Sequence, residues 1–299
     1  MIDVSIIIVN YNTKELTKAC VDSIIEKTKA NTYEIIIVDN NSTDGSKELF
    51  SKDQRIKFIE SPENLGFGKA NNIGFKHSLG KYLFLLNSDT LLQNDAISLL
   101  YNFAEEHNDV KWGGIGCILK SVDGNRCHSY AKLSSAFDII LSYLIAPYNK
   151  AIARRIMGVD SVEEKGDYFE VGYVTGADLF IDRNVIDKCG MFDPDFFMYS
   201  EEAELQWRFR RNKYKNVIVK GPQIIHLEGA SQVKTQQPSM AKIIMIHKSL
   251  FLYVRKTSSI LIYYIFQCLF ILVRLPFLLL SSYNIQDKLK YFIFLFSNK

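Results

Sequence analysis

The chain has 299 residues, 47% of them hydrophobic and 23% charged, with a formal net charge of +3. It is long enough to bury a large core, too apolar to be disordered, and too weakly basic to read as a nucleic-acid binder. Five cysteines (Cys20, Cys117, Cys127, Cys189 and Cys268) include no C-x-x-C pair, so neither a zinc site nor a disulfide framework is indicated and a reducing, cytosolic setting is expected. The first residues do not read as a secretory signal, because Asp3 precedes only a short apolar run with no basic stretch before it.

Residues 4–9 (V-S-I-I-I-V) read as a first buried strand that ends in Asn10, Tyr11 and Asn12. Residues 16–25 have helical periodicity, with Thr13 as an N-cap. Residues 33–38 (Y-E-I-I-I-V) repeat the strand pattern and run into D-N-N-S-T-D-G from Asp39. A helix over 46–50, a strand over 56–59, a helix over 68–78 and a strand over 82–86 follow. Short apolar runs bounded by polar residues suit strands buried on both faces. Alternated with helices, they predict right-handed βαβ units in a mostly parallel sheet.

Three of these strands deliver polar groups to one sheet edge: Asn10 and Asn12, then Asp39, then Asn87, Ser88 and Asp89. Open α/β sheets bind ligands beyond the carboxyl ends of their strands, so that edge is the expected site. A plainer reading makes residues 87–90 only a turn that caps the next helix. No G-x-G-x-x-G follows the first strand and no G-x-x-x-x-G-K-[ST] occurs, which removes the dinucleotide and phosphate-loop classes.

Beyond Glu106, residues 112–120 read as a strand and Asp123–Gly124 as a turn. Residues 134–162 read as a helical insertion whose Phe137, Ile140, Leu141 and Leu144 recur at helical spacing, as core or as acceptor-side packing. Strands over 168–174 and 179–182 flank Thr175, Gly176 and Ala177, and a short helix covers 184–189. The run F-D-P-D-F-F-M-Y-S-E-E-A-E-L-Q-W-R then puts Glu201 and Glu202 in the first turn of a helix with Ser200 as N-cap. Those carboxylates either stabilise the positive end of the helix or, walled by Phe196, Phe197 and Tyr199, acquire raised pKa values and do chemistry. Strands over 217–219 and 224–225 follow, the second ending at His226, a structural histidine unless it meets Asp89 in space.

On these residues the chain resembles the family 2 glycosyltransferases of the GT-A fold, and among them the rhamnosyltransferase-like branch that acts on bacterial surface polysaccharides. The motifs run in the family's order over residues 4–231: V-S-I-I-I-V-N-Y-N, I-I-V-D-N-N-S-T-D-G-S, N-L-G-F-G-K-A-N-N-I-G, N-S-D, V-T-G-A, the F-D-P-D-F-F run and H-L-E-G-A-S. The resemblance implies that Asp39 receives the nucleobase beside Asn10, Tyr11 and Asn12. It implies that Asn64, Gly66, Phe67 and Asn71 form the donor-side loop and helix start, next to Asn87 and Ser88. Asp89 takes the metal-binding place of the family's D-x-D motif, with His226 as a further ligand or diphosphate contact. Thr175, Gly176, Ala177 and Trp207 fall on the acceptor side. Three positions depart from the family pattern: Asn87 replaces the first carboxylate of D-x-D, Glu201-Glu202 stands for the usual Glu-Asp, and Glu204 for an Asp. The second acid of the pair, Glu202, matches the family's base, with Glu201 as the alternative. The Q-x-x-R-W signature of processive members is missing.

The implied function is inverting, non-processive, metal-dependent sugar transfer, with rhamnose among the sugars. The donor is a dTDP- or UDP-sugar, the metal Mg²⁺ or Mn²⁺, and the acceptor a cell-surface glycan or a polyprenyl-linked oligosaccharide. A sugar-phosphate nucleotidyltransferase would want a glycine-rich loop where N-Y-N stands. An inactive binding module would have lost Asp39, Asp89 or Glu202, and all three are present. Residues 1–240 are expected as the catalytic domain, its nucleotide-sugar half ending near 110, and residues 241–299 as a hydrophobic helical region. Residues 260–280, nearly all apolar, are interrupted by Gln267, Arg274 and Pro276, and are long enough to cross a bilayer. Arg274 is expected to snorkel and Pro276 to break the helix. Basic residues on both sides (Arg255, Lys256, Lys288, Lys290, Lys299) favour a peripheral or monotopic attachment at the cytoplasmic face over a clean span. A homodimer interface is the soluble alternative.

Overall fold

The structure, a computed structural model, describes residues 2–159, 162–227 and 238–297; residues 228–231 of the H-L-E-G-A-S motif and Lys299 lie outside the described residues. The first half comprises β1 (Val4–Asn10), α1 (Lys14–Lys27), β2 (Tyr33–Asp39), α2 (Ser46–Phe50), β3 (Lys57–Glu60), α3 (Phe67–Lys76), β4 (Tyr82–Leu86), β5 (Thr90–Leu92), α4 (Ala96–Glu106) and β6 (Trp112–Cys117). The second half comprises β7 (Tyr130–Ala131), α5 (Ala136–Ile145), α6 (Lys150–Ile156), β8 (Tyr168–Val171), β9 (Tyr173–Val174), β10 (Asp178–Asp182), α7 (Arg183–Cys189), α8 (Glu201–Arg211), β11 (Lys215–Val219) and β12 (Ile224–His226). Three helices close the chain: α9 (Met240–Thr257), α10 (Ile260–Leu280) and α11 (Ile285–Ser297).

Eight strands form the central sheet in the order β3-β2-β1-β4-β10-β6-β11-β8. The run from β3 to β4 is parallel, β10 lies antiparallel between β4 and β6, β11 is parallel to β6, and β8 is an antiparallel edge. The sheet is therefore mixed and mostly parallel, as the strand–helix alternation predicts. Strand β1 explains its own unbroken apolar run: Ile6 and Ile8 enter the core on one face while Ile7 enters the other.

Residues 87–90 are not a cap for the next helix. Thr90 enters β5, which pairs antiparallel with β12, and α4 is capped instead by the Asp95 side chain accepting from the Ser98 amide. Thr13 and Ser200 stand before α1 and α8, but neither side chain makes a capping bond. The Thr13 hydroxyl donates to Asn10 and Ser88, and Ser200 takes a left-handed φ of 64°. The stripe expected in the insertion as core or acceptor-side packing is divided, with Ile140 packed against the C-terminal cluster. Phe137 is 71% exposed and Leu144 48%, while Ala136 and Ile139 are buried, because α5 packs on α10 through the face carrying 136, 139 and 143.

The C-terminal helices pack against the rest of the chain. One hydrophobic cluster joins Phe251, Val254, Phe266, Phe270 and Tyr291 to Ile139, Phe196 and Ala203, crossing the boundary expected at 240. Pro276 does not break α10, which continues to Leu280; the missing N–H falls near its end, where the loss of one bond is tolerated. Arg274 does not reach outward. Its guanidinium lies over the Tyr143 ring, 5.5 Å from the centroid.

Candidate active site

The sheet edge is built from the ends of β1 and β2, where Asn10 and Asp39 are register partners. The Asn10 amide donates to Asp39 Oδ1 (2.6 Å) and Ser42 Oγ (3.0 Å), and its carbonyl accepts from Thr13 (2.9 Å) and Thr17 (2.7 Å). Two donors and two lone pairs are all that an Asn side chain has, so Asn10 is spent as a brace for Asp39. Asp39 is buried, and its second oxygen accepts from the Ser42 amide at 3.0 Å. Each carboxylate oxygen keeps one lone pair. Asn12 takes a left-handed turn, φ 54°, and its Oδ1 accepts from the Thr43 amide at 2.7 Å. Tyr11 stands half-exposed at the rim.

A second loop closes on this edge through Asn40, which is not among the site residues expected from sequence. Its amide donates to Asn64 Oδ1 (2.9 Å) and the Gly66 carbonyl (3.1 Å), and its own Oδ1 accepts from the Leu65 amide (2.9 Å). Gly66 has φ 81°, and a Cβ there would stand 1.9 Å from the Phe197 carbonyl oxygen, so only glycine fits. That carbonyl accepts from the Phe67 amide at 2.9 Å, tying the loop to the segment before α8. The Phe67 ring lies against Gly176, and Asn71 donates to the Phe67 carbonyl at 3.1 Å.

At the end of β4 the Asn87 amide donates to the Ala177 carbonyl (3.0 Å), and Ser88 accepts from Thr13 (3.1 Å). Asp89, 8% exposed, sets Oδ1 3.2 Å from His226 Nε2. The β5–β12 ribbon makes this contact: His226 pairs with Thr90 in register, which brings the imidazole beside the preceding residue. Behind them lies Asp178, fully buried at the start of β10. Its Oδ2 accepts from the Cys117 amide at 2.7 Å, and its Oδ1 has no hydrogen-bond partner among the described residues. Burial pushes its pKa up to about 7 against the lowering pull of the Cys117 hydrogen bonds and, more weakly, of His226. The only sequence signal for it is an acidic residue opening the strand D-L-F-I-D ahead of three apolar ones.

Tyr199 and Ser200, with φ of 74° and 64°, form a strained turn into α8. Ser249 of α9 holds it by donating to the Met198 carbonyl at 2.6 Å. Glu201 is 4% exposed, points toward Gly68 of α3, and leaves Oε2 without a hydrogen-bond partner among the described residues. Glu202 is half-buried beside Gly176. Burial raises both carboxyls, the Glu202 charge raising Glu201 further and backbone amides holding Glu202 down. Glu204 is pinned to Arg208 at 2.9 Å and is structural.

Burial reverses the stabilising role expected of Glu201 at the helix start. A carboxyl whose folded pKa is raised holds its proton better in the folded state. Stability therefore falls as pH rises from the unfolded value near 4.5 through the folded one. The melting temperature of Glu201→Gln relative to wild type should accordingly climb between pH 4 and pH 8. A difference that stays flat or falls in thermal melts would remove the buried charge as the cause.

The family model described as "Glycosyl transferase family 2" matches residues 5–156, half of the chain. The chain belongs to glycosyltransferase family 2. An uncharacterized glycosyltransferase of Rickettsia felis is 39% identical over 108 residues, 35% of this chain but only 18% of that protein. The low-salt glycan biosynthesis hexosyltransferase Agl10 of Haloferax volcanii is 27% identical over 220 residues, 70% of this chain and 62% of its own length. Among solved structures the mannosyltransferase PcManGT of Pyrobaculum calidifontis, in complex with GDP-mannose and Mn²⁺, superposes with a TM-score of 0.54 at 17% identity. That match covers 85% of this chain and 65% of the other, and it shows a shared GT-A fold.

Within this glycosyltransferase fold the structure joins Asp39, Asn64, Gly66, Phe67, Ser88, Asp89, Ala177 and His226 through the contacts above, and sets Glu202 against Gly176. Thr175 is buried, its amide bonded to the Ser129 carbonyl at 3.0 Å. Trp207 is not joined to them by any contact among the described residues; its ring carries the Arg211 guanidinium at 5.1 Å. Nor do the described residues group three His, Cys, Asp or Glu side chains around a metal position.

Proposed function

We propose that this chain is a metal-dependent, inverting, non-processive transferase that moves a sugar from a nucleoside diphosphate to a cell-surface glycan or a lipid-linked oligosaccharide. The observation that carries the reading is the meeting of Asp89 and His226 on the edge that also holds Asp39. The donor is a dTDP- or UDP-sugar, and rhamnose is the sugar that the motif pattern favours. Asp39, braced by Asn10, accepts from the base with its remaining lone pairs.

A carboxylate oxygen and an imidazole nitrogen side by side are donors that Mg²⁺ or Mn²⁺ accepts, so Asp89 and His226 would hold a divalent cation. Bound there, the cation supplies charge neutralisation for the leaving diphosphate. The relation to a Mn²⁺-bound mannosyltransferase of the same fold supports this reading. Glu202, beside Gly176, takes the proton of the acceptor hydroxyl as its oxygen attacks the anomeric carbon and the bond to diphosphate breaks. Attack opposite the leaving group inverts that carbon. NMR of the transferred sugar should show the anomer opposite to the donor's, and retention would contradict the single displacement.

We also propose a cytoplasmic-face, monotopic attachment through α10 and α11. Only 17% of the most apolar stretch of α10 is buried, and Leu261 (68%), Ile265 (51%) and Leu272 (68%) lie exposed on one face. Burying each such side chain is worth about 1.5–3 kcal/mol, enough to hold the chain on a leaflet against its single Arg274. The full chain should sediment with anionic vesicles, and a Leu261→Glu, Ile265→Glu, Leu272→Glu triple variant should stay in the supernatant. Wild-type chain that remains soluble as a dimer would make this face a protein interface instead.

A further inference from the structure

The segment that leads into the strained turn, through Asp195 and Phe197, lines a second cavity. A cleft of about 560 Å³ opens between the 195–197 segment and the three C-terminal helices. Its floor is a stripe of α9, Lys248, Leu252 and Arg255, at the i, i+4, i+7 spacing of one helix face. Phe197 stands on one side, Tyr263 of α10 and Phe294 of α11 on the other.

The charge in this apolar cleft is unbalanced. Lys248 and Arg255 are exposed and make no ion pair among the described residues. The one acid of the lining, Asp195, is already paired with Lys256 at 2.9 Å, and Lys256 also holds Asp193. Two free cations on an apolar wall ask for an occupant that is anionic at one point and greasy elsewhere. A second copy of the chain would bring its own unpaired cations to a twofold contact, so it does not answer that demand. An inorganic phosphate or a nucleotide leaves the aromatic and aliphatic walls wet.

The position adds direction. Phe197 lies four residues before Glu201, and the same segment is bonded to Phe67 on the donor side and to Ser249 on α9. Tyr263 and Phe294 belong to the helices whose outer faces are apolar and exposed. The cleft thus lies between the proposed leaflet face and the segment that leads into α8. We infer that it holds the polyisoprenyl diphosphate end of a lipid-linked acceptor, the chain against Phe197, Leu252 and Phe294 and the diphosphate between Lys248 and Arg255. This rests on the transferase reading and names the class of acceptor for it.

The test titrates geranylgeranyl diphosphate into the full-length protein in neutral detergent micelles, with geranylgeraniol, inorganic diphosphate and phosphatidylglycerol as comparison ligands. The diphosphate lipid should bind tightest. Lys248→Ala with Arg255→Ala should weaken it by about 10²-fold, roughly tenfold for each charge-assisted contact. Lys248→Arg with Arg255→Lys, which keeps both charges, should bind as wild type does and controls for folding. Equal binding of phosphatidylglycerol, unchanged affinity in the double alanine variant, or dimers that Leu252→Asp dissociates without affecting lipid would each overturn the assignment. A parallel titration with UDP- and dTDP-sugars separates the two readings. Nucleotide sugars bound without lipid diphosphate retire the cleft alone, whereas lipid diphosphate bound without any nucleotide sugar upholds the cleft and retires the transferase.

Discussion

Glu202→Gln should lower the turnover number by at least about 10²-fold while leaving donor affinity near that of wild type. The amide keeps the shape of the side chain beside Gly176 and removes only its ability to take a proton. Burial places the Glu202 pKa above the ordinary carboxylate range, and a base works in its ionised form. Wild-type rate should therefore rise with pH across an acid limb above the usual Glu value, and the variant should lack that limb. Adjacent helical residues point about 100° apart, which is why Glu201 turns to Gly68 while Glu202 meets Gly176. If Glu201→Gln loses the rate and the limb instead, the base is Glu201. If neither change slows transfer, α8 does not carry the base.

Asp89→Ala should abolish turnover, because it removes the carboxylate from the Asp89–His226 pair and leaves a neutral imidazole alone to hold the cation. The sharper readout is calorimetric. Mn²⁺ should tighten nucleoside diphosphate binding in wild type and have no such effect in the variant. Metal-enhanced binding that survives Asp89→Ala would move the cation elsewhere. His226→Ala should keep part of the enhancement, since the carboxylate supplies the negative charge that an imidazole does not.

Local pattern makes the β1–β4 half of the fold legible: two-sided apolar strands read the same in sequence and in space, and their polar ends mark the edge holding Asp39 and Asp89. What escapes depends on pairing between distant segments. Strand β5 is three residues long and exists because β12 pairs with it, so neither segment alone reveals the contact between Asp89 and His226. The helical spacing of Phe137 and Leu144 is real, but α10 covers the other face of α5. Ser200 and Thr13 carry the right chemistry for N-caps, yet a left-handed turn and a competing bond to Ser88 take those side chains away. Asp178 and Asn40 offer little beyond a single polar letter each, because their importance lies in what surrounds them. Residues 241–299 read as one hydrophobic helical region, although Ser249 and Lys256 tie α9 to the segment before Glu201.

The most direct measurement is the initial rate of nucleoside diphosphate release from a panel of dTDP-, UDP- and GDP-sugars, each with Mn²⁺, with Mg²⁺ and with a chelator. At least one donor should be consumed, only with a divalent cation, and addition of a polyprenyl-linked acceptor should raise the rate. Donor consumption at full rate in chelator, or a protein that neither binds nor consumes any donor with either metal, would contradict metal-dependent sugar transfer.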